Sequence, residues 1–173
     1  MTFPLSVRFN RPLQTDITPG NKAQVLQLIK DGIISKKADM VITEDMSVSY
    51  KGTTSTMKGS IFGSVDSGIF SLTYENDNWL LKYQIDMREL FIFTSILAVV
   101  MEVFTLSIKG PWWFGVAAFL WVCGANWAVT VVRHGFLANN IADEINEQTG
   151  GKPKVEATEI ENDKMTGELK SWF

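Results

Sequence analysis

Glu102 is the residue of this sequence whose type and position could do chemistry, because it is an acid inside a long apolar run. A carboxyl group in such surroundings can serve proton or cation transport, or it can hydrogen-bond to a neighbouring helix. A charged group near the centre of a membrane costs about 2.5–3.5 kcal/mol, so it usually faces protein or water. Three interpretations therefore stay open: a structural hydrogen bond or tolerated acid, a contact with a partner protein, and transport.

The surroundings of Glu102 depend on two apolar runs, residues 90–108 and 112–132, which are separated only by residues 109–111. Each run has about the 20 residues that a helix needs to cross about 30 Å of hydrocarbon. The short separation predicts an antiparallel transmembrane hairpin. Two helices alone cannot bury an acid or enclose a pore, so a role in transport would need self-association or another membrane protein.

Few polar groups within the predicted hairpin could contact Glu102. We expect Trp121 of the second run at the same depth, where its indole N–H is the nearby donor, and neither run contains Lys, Arg or His. Toward the other end of the hairpin, Ser95 and Asn126 should lie at similar depths, next to the small residue Gly124. This pattern predicts a packing seam that includes a polar contact.

Basic and aromatic residues predict where the hairpin meets the two membrane interfaces. The expected anchors are Trp112 and Trp113 beside the turn, and Arg88, Arg133 and His134 at the other end. Lys82 adds to the positive charge at that other end, whereas Lys109 alone lies at the turn. The positive-inside rule therefore predicts that both termini are cytoplasmic.

Residues 1–88 predict a small cytoplasmic α+β domain with one helix on an antiparallel sheet. Thr18 and Pro19 are typical of a helix start, and Gly32 is typical of a helix end. From Met40 the apolar period changes to two, which indicates strands with Met40, Ile42, Val48 and Tyr50 on one face. The expected strands are residues 5–9, 40–50 with a turn at 44–45, 57–63, 69–74 and 79–86, the last two joined by a turn at 75–78.

Residues 135–173 follow the hairpin and predict a short helix and then an acidic, flexible tail. The helix could continue the second span, or it could be a separate amphipathic segment. Three residues near the end of this polar tail are large and apolar: Leu169, Trp172 and Phe173. They would either dock on the N-terminal domain or bind a partner.

The composition excludes several classes of function. The net charge is −3, and no basic patch is dense enough for nucleic acid. The single cysteine, Cys123, rules out a disulfide or a Cys-based zinc site within one chain, and one histidine cannot form a metal site alone. We therefore predict no catalytic residue, metal or cofactor.

The structural elements predicted in residues 40–136 also follow a recognisable order. A strand with Trp79 and Tyr83 runs into RELFIFTSILAVV, and a short turn then leads to WVCGANWAVTVVRHGF. This order resembles small bacterial membrane proteins with two spans and an N-terminal strand-rich domain. The resemblance implies a bacterial inner-membrane location, and it implies no particular activity.

These observations predict an integral membrane protein that contacts lipid and acts as a non-catalytic adaptor or accessory subunit of a membrane complex. One alternative is an oligomeric channel or transporter component that uses Glu102. The other is a membrane-tethered sensor whose N-terminal sheet binds a small ligand or a lipid headgroup.

Overall fold

The computed structural model describes residues 5–52 and 65–150. Two of the expected features lie outside these residues. They are the strand at 57–63 and the tail with its terminal residues Leu169, Trp172 and Phe173.

Five strands form one antiparallel sheet, which confirms the expected α+β class. The strands are β1 (Ser6–Pro12), β2 (Asp39–Thr43), β3 (Ser47–Lys51), β4 (Ser67–Glu75) and β5 (Asn78–Asp86), in the spatial order β1-β5-β4-β3-β2. The expected turn between β4 and β5 is confirmed, and both of its central residues, Asn76 and Asp77, have positive φ. Two residues in this conformation match the right-handed twist of the flanking strands.

Two helices cover one face of the sheet, whereas a single helix was expected. Helix α1 (Lys22–Ser35) is the expected one, and the second is the C-terminal part of α3 (Phe114–Gln148). In α3, buried apolar residues recur at helical spacing, which provides a stripe for packing on the sheet. The core of this α+β unit therefore combines Val25, Ile29 and Ile33 of α1, Phe70, Leu81, Tyr83 and Ile85 of the sheet, and Leu137, Ala138, Ile141 and Ile145 of α3.

The bounds of α1 differ from those expected, for local reasons. The Thr18 backbone N–H donates to the Asn21 side chain at 2.8 Å, so a turn occupies the expected helix start and the helix begins at Lys22. Gly32 lies within the helix and does not end it. A Cβ at this position would lie 3.0 Å from Cγ1 of Ile141, so the glycine lets α1 and α3 approach closely.

A β-bulge in β2 changes which residues face the core. The pairing of β2 with β3 shifts register between Asp39 and Ile42, and Met40 has a φ of 46°. An extra residue in a strand turns the following side chains to the other face. Met40 is therefore 70% exposed and Ile42 is exposed, although both were expected on one face with Val48 and Tyr50, which are buried.

Helix α2 (Arg88–Ser107) and the first half of α3 form a helical hairpin. Both helices are long and apolar enough to cross a membrane, with mean hydropathies of 2.1 and 1.7 in their most apolar windows, and few of those residues are buried within the protein. Helix α3 contains one π-helical turn, Leu120–Gly124, and continues without a break to Gln148. Of the two alternatives for the segment after residue 134, continuation of the second helix is the one observed.

Helix α2 begins directly after β5, and two carboxylates cap its start. Asp66 Oδ2 accepts a hydrogen bond from the Glu89 backbone N–H at 2.9 Å, and Asp86 Oδ1 accepts one from Arg88 at 3.2 Å. Both acceptors satisfy N–H groups that have no partner within the helix. Burial raises the pKa of Asp66, the hydrogen bond from Glu89 acts in the opposite direction, and the nearby carboxylates of Glu89 and Asp86 raise it further.

We expect Asp66→Ala to lower the free energy of unfolding by about 1 kcal/mol, because it removes a capping acceptor. Asp66→Asn keeps an acceptor oxygen and removes the charge. Because the pKa of Asp66 is raised in the folded state, its ionisation as the pH rises removes stability. The Asn variant should therefore be at least as stable as the wild type at pH 7, and its advantage should shrink on acidification. Urea unfolding followed by circular dichroism at several pH values measures this, and equal losses in both variants would contradict it.

Candidate functional site

Glu102 accepts a hydrogen bond from the start of the neighbouring helix. Its Oε2 lies 2.6 Å from the backbone nitrogen of Gly115, the second residue of α3. The first N–H groups of a helix lack partners within it, and this end of a helix stabilises negative charge. Glu102 therefore caps α3 from α2, which accounts for an acid in this apolar hairpin.

Gly115 permits this contact because it has no side chain. A Cβ at this position would lie 2.6 Å from both Cβ and Oε2 of Glu102, and 3.1 Å from the backbone oxygen of Ala98. These distances are too short for any other residue without a shift of one helix. The two helices therefore pack closely at Gly115.

A groove of about 330 Å³ lies on the hairpin surface beside this contact. Its walls are apolar apart from Glu102, and Trp112 stands at its rim with 74% of its surface exposed. The residues that line it are Ala98, Val99, Glu102, Trp112, Gly115, Val116 and Phe119. The groove therefore combines one carboxylate, one accessible indole and a small apolar surface.

Trp121 does not contact Glu102, although it was expected to supply the donor. It is 78% exposed, and Gly115 takes its place beside the carboxylate. The reason is the length of the turn, in which six residues separate Ser107 from Phe114 and the Gly110 N–H donates to the carbonyl of Thr105. Trp112 lines the same groove as Ala98 and Val99 of α2, so the chain already runs back beside α2 before α3 begins. Glu102 therefore meets an earlier residue than a three-residue turn predicts.

Ser95 and Asn126 are not brought together either, and both are exposed. The Asn126 side chain donates to the carbonyl of Val122 in its own helix at 2.6 Å. A Cβ at Gly124 would meet nothing within 4 Å, so the expected packing seam is not at this position. The backbones of α2 and α3 come closest near the turn instead.

The expected interface anchors have different environments. Trp112, Trp113 and Arg133 are exposed, and the exposed Arg88 pairs with Asp86 at 3.4 Å. His134 is wholly buried beneath the sheet, so it does not lie at a surface where headgroups could reach it. The correction for His134 follows from the continuation of α3, which carries this residue into the core.

A buried chain of hydrogen bonds connects His134 to the centre of the sheet. The Tyr83 hydroxyl bonds to Nδ1 of His134 on one side and to the Tyr50 hydroxyl on the other. The Tyr83 ring also stacks on Phe70, with centroids 3.8 Å apart. Burial raises the pKa of Tyr50 and of Tyr83, and the neighbouring Tyr50 raises that of Tyr83 further. Both hydroxyls therefore stay protonated and available as donors at neutral pH.

Sequence reasoning missed this cluster, although part of its signal was present. The period of two in β3 and β5 places Tyr50 and Tyr83 on buried faces, where each hydroxyl needs a partner. Nothing in the pattern links either of them to His134, which is 51 residues beyond Tyr83.

The face of the sheet away from the helices carries a second groove, of about 340 Å³. We call it the outer groove. Exposed apolar side chains of Met40, Ile42 and Ile69 contribute to it, and Lys51 and Asp86 provide charges of opposite sign. It lies at the end of the sheet from which α2 departs, because Asp86 is the last residue of β5.

Within residues 5–52 and 65–150, no group of three or more His, Cys, Asp or Glu side chains could hold a metal ion. Comparison of the chain with protein-family models, curated proteins and solved structures finds no match.

We expect Tyr83→Phe to destabilise the protein more than Tyr50→Phe. The first change removes the hydroxyl that bonds to both Tyr50 and His134, so two hydrogen bonds are lost, whereas the second change removes only the bond between the two tyrosines. Each hydrogen bond contributes about 0.5–1.5 kcal/mol to stability. Chemical denaturation of both variants measures the difference, and equal losses would show that the bond to His134 contributes nothing.

We expect Gly115→Ala to destabilise the hairpin by about 1–3 kcal/mol, because the added methyl group overlaps Glu102. Gly124→Ala is the matched control, since its Cβ enters open space. Thermal unfolding in detergent, followed by the helical circular dichroism signal, compares them. The Glu102 contact would be refuted if the two variants unfolded at the same temperature.

Proposed function

We propose that this chain is an integral membrane protein that acts as a non-catalytic adaptor or accessory subunit of a membrane complex. One observation carries the proposal: both helices of the hairpin enter the α+β unit without a linker. Only Met87, which is fully buried, separates β5 from α2, and α3 runs unbroken from the hairpin into the core. Such a unit holds its sheet at a defined height and angle above the membrane.

The charges near the helix ends support a cytoplasmic position for the α+β unit. Arg88 and Arg133 lie where the helices leave this unit, and Lys109 lies in the turn. By the positive-inside rule, the end with more basic residues is cytoplasmic. We therefore propose that both termini are cytoplasmic, and the resemblance described above favours the bacterial inner membrane.

The outer groove is the surface that we propose for the partner. The helices cover the opposite face of the sheet, and within residues 5–52 and 65–150 no element covers this one. Met40, Ile42 and Ile69 give it an apolar centre with a polar rim. That distribution is typical of protein interfaces. Glu102 supports this function over transport, because it caps a helix beside a groove on the hairpin surface.

We expect mild detergent to extract the protein from its native membrane as an oligomer, or bound to a second subunit in fixed stoichiometry. Ile69→Glu should release that subunit, because it places a charge in the apolar centre of the outer groove. Ile34→Glu is the control, as Ile34 is an exposed isoleucine on α1. Size-exclusion chromatography with light scattering measures the mass of each species.

A wild-type chain that runs only as a lone monomer would overturn the adaptor function and leave the sensor as the function of the outer groove. If Ile69→Glu and Ile34→Glu behaved alike, the partner would not bind at that face.

A further inference from the structure

Glu102 has more hydrogen-bonding capacity than its capping role uses. An ionised carboxylate offers about four acceptor sites, and the Gly115 N–H occupies one. The ion pairs among the described residues do not involve Glu102, and Lys109 is the one basic residue between positions 89 and 132. No basic residue of the hairpin pairs with this carboxyl group in the structure, so its remaining acceptor sites are available to a cation from outside the hairpin.

The size of the groove beside Glu102 restricts the kind of molecule that could carry this cationic group. A volume of about 330 Å³ is at the lower end of the range for small-molecule sites, about 300–1,000 Å³. It extends along α2 only from Ala98 to Glu102, which is about one helical turn. A partner helix would need a longer contact surface, so the dimensions favour a headgroup with the adjoining part of its lipid.

We propose that this groove binds the primary ammonium group of an aminophospholipid, in the leaflet opposite the α+β unit. The carboxylate of Glu102 accepts N–H bonds from the ammonium, and a charge-assisted bond of this kind is stronger than a neutral one. Trp112 lines the same groove, where an indole ring can bind the cation, and Val99, Val116 and Phe119 of the lining contact the apolar part of the lipid. A choline headgroup has no N–H to donate, so it binds more weakly.

This inference rests on the proposed membrane insertion and is independent of the adaptor role. The test uses the full chain in nanodiscs with equal parts of phosphatidylethanolamine, phosphatidylcholine and phosphatidylglycerol, all with the same acyl chains. Native mass spectrometry then counts the lipids of each class that remain bound. We expect one retained phosphatidylethanolamine, preferred over phosphatidylcholine by about tenfold.

Two variants separate the site from the fold. Glu102→Gln keeps a carbonyl oxygen for the Gly115 N–H and removes the charge, and Trp112→Leu leaves the Glu102–Gly115 bond intact. Both should lose the preference for phosphatidylethanolamine. Glu89→Gln, the same change at the other end of α2, should retain it. Free ethanolamine in millimolar excess should displace little lipid, because it lacks the apolar part.

The proposal is overturned if the three lipids are retained equally, or if the preference survives in Glu102→Gln. Displacement of the lipid by free ethanolamine would overturn the lipid as the source of the ammonium group. A chain that does not insert into nanodiscs would overturn the membrane location itself, and so the proposed function with it. Loss of lipid preference alone would leave the effect of Ile69→Glu on subunit association unchanged.

Discussion

The packing of one continuous helix against the sheet fixes the arrangement of the whole structure. Helix α3 has 35 residues and is therefore about 52 Å long. Because its C-terminal part is held in the core by Leu137, Ile141 and Ile145, the direction of its N-terminal part is set as well. Helix α2 adds a second attachment, since it follows β5 after one residue. Two attachments at separate points of the sheet leave the hairpin little freedom to swing or rotate.

Within the hairpin, a carboxyl group and a backbone N–H that would otherwise lack hydrogen-bond partners bond to each other. A carboxylate in apolar surroundings needs donors, and the first N–H groups of a helix need acceptors. The contact between Glu102 and Gly115 meets both needs, so neither requires a distant partner for folding. The carboxyl group of Glu102 nevertheless also lines a groove on the hairpin surface. The same side chain therefore caps a helix and contributes polar atoms to that groove.

Local patterns predicted much of this fold, and non-local contacts account for what they missed. The alternation in β4 and β5 and the turn between them were evident, as were the two apolar helices. The apolar stripe after His134 showed that a helix had a face to bury, but not that the sheet would cover it. The bulge at Met40 adds one residue to β2, so the alternation of buried and exposed side chains assumed for this strand does not hold. Glu102 was identified by its type, whereas its partner is a backbone group, which a search for side-chain donors does not find.

The π-helical turn at Leu120–Gly124 allows the two ends of α3 to face the same direction. His134 follows Gly115 by nineteen positions, which in a regular α-helix is a rotation of about 100° beyond five full turns. The π-helical turn accommodates one additional residue, and this brings the rotation close to five whole turns. Gly115 can therefore face α2 while His134 faces the sheet. Deletion of one residue within the π-helical turn would therefore give a regular α-helix in which Gly115 still faces α2 and His134 still faces the sheet. A deletion elsewhere between Gly115 and His134 would rotate one of these two residues away from the element that it contacts.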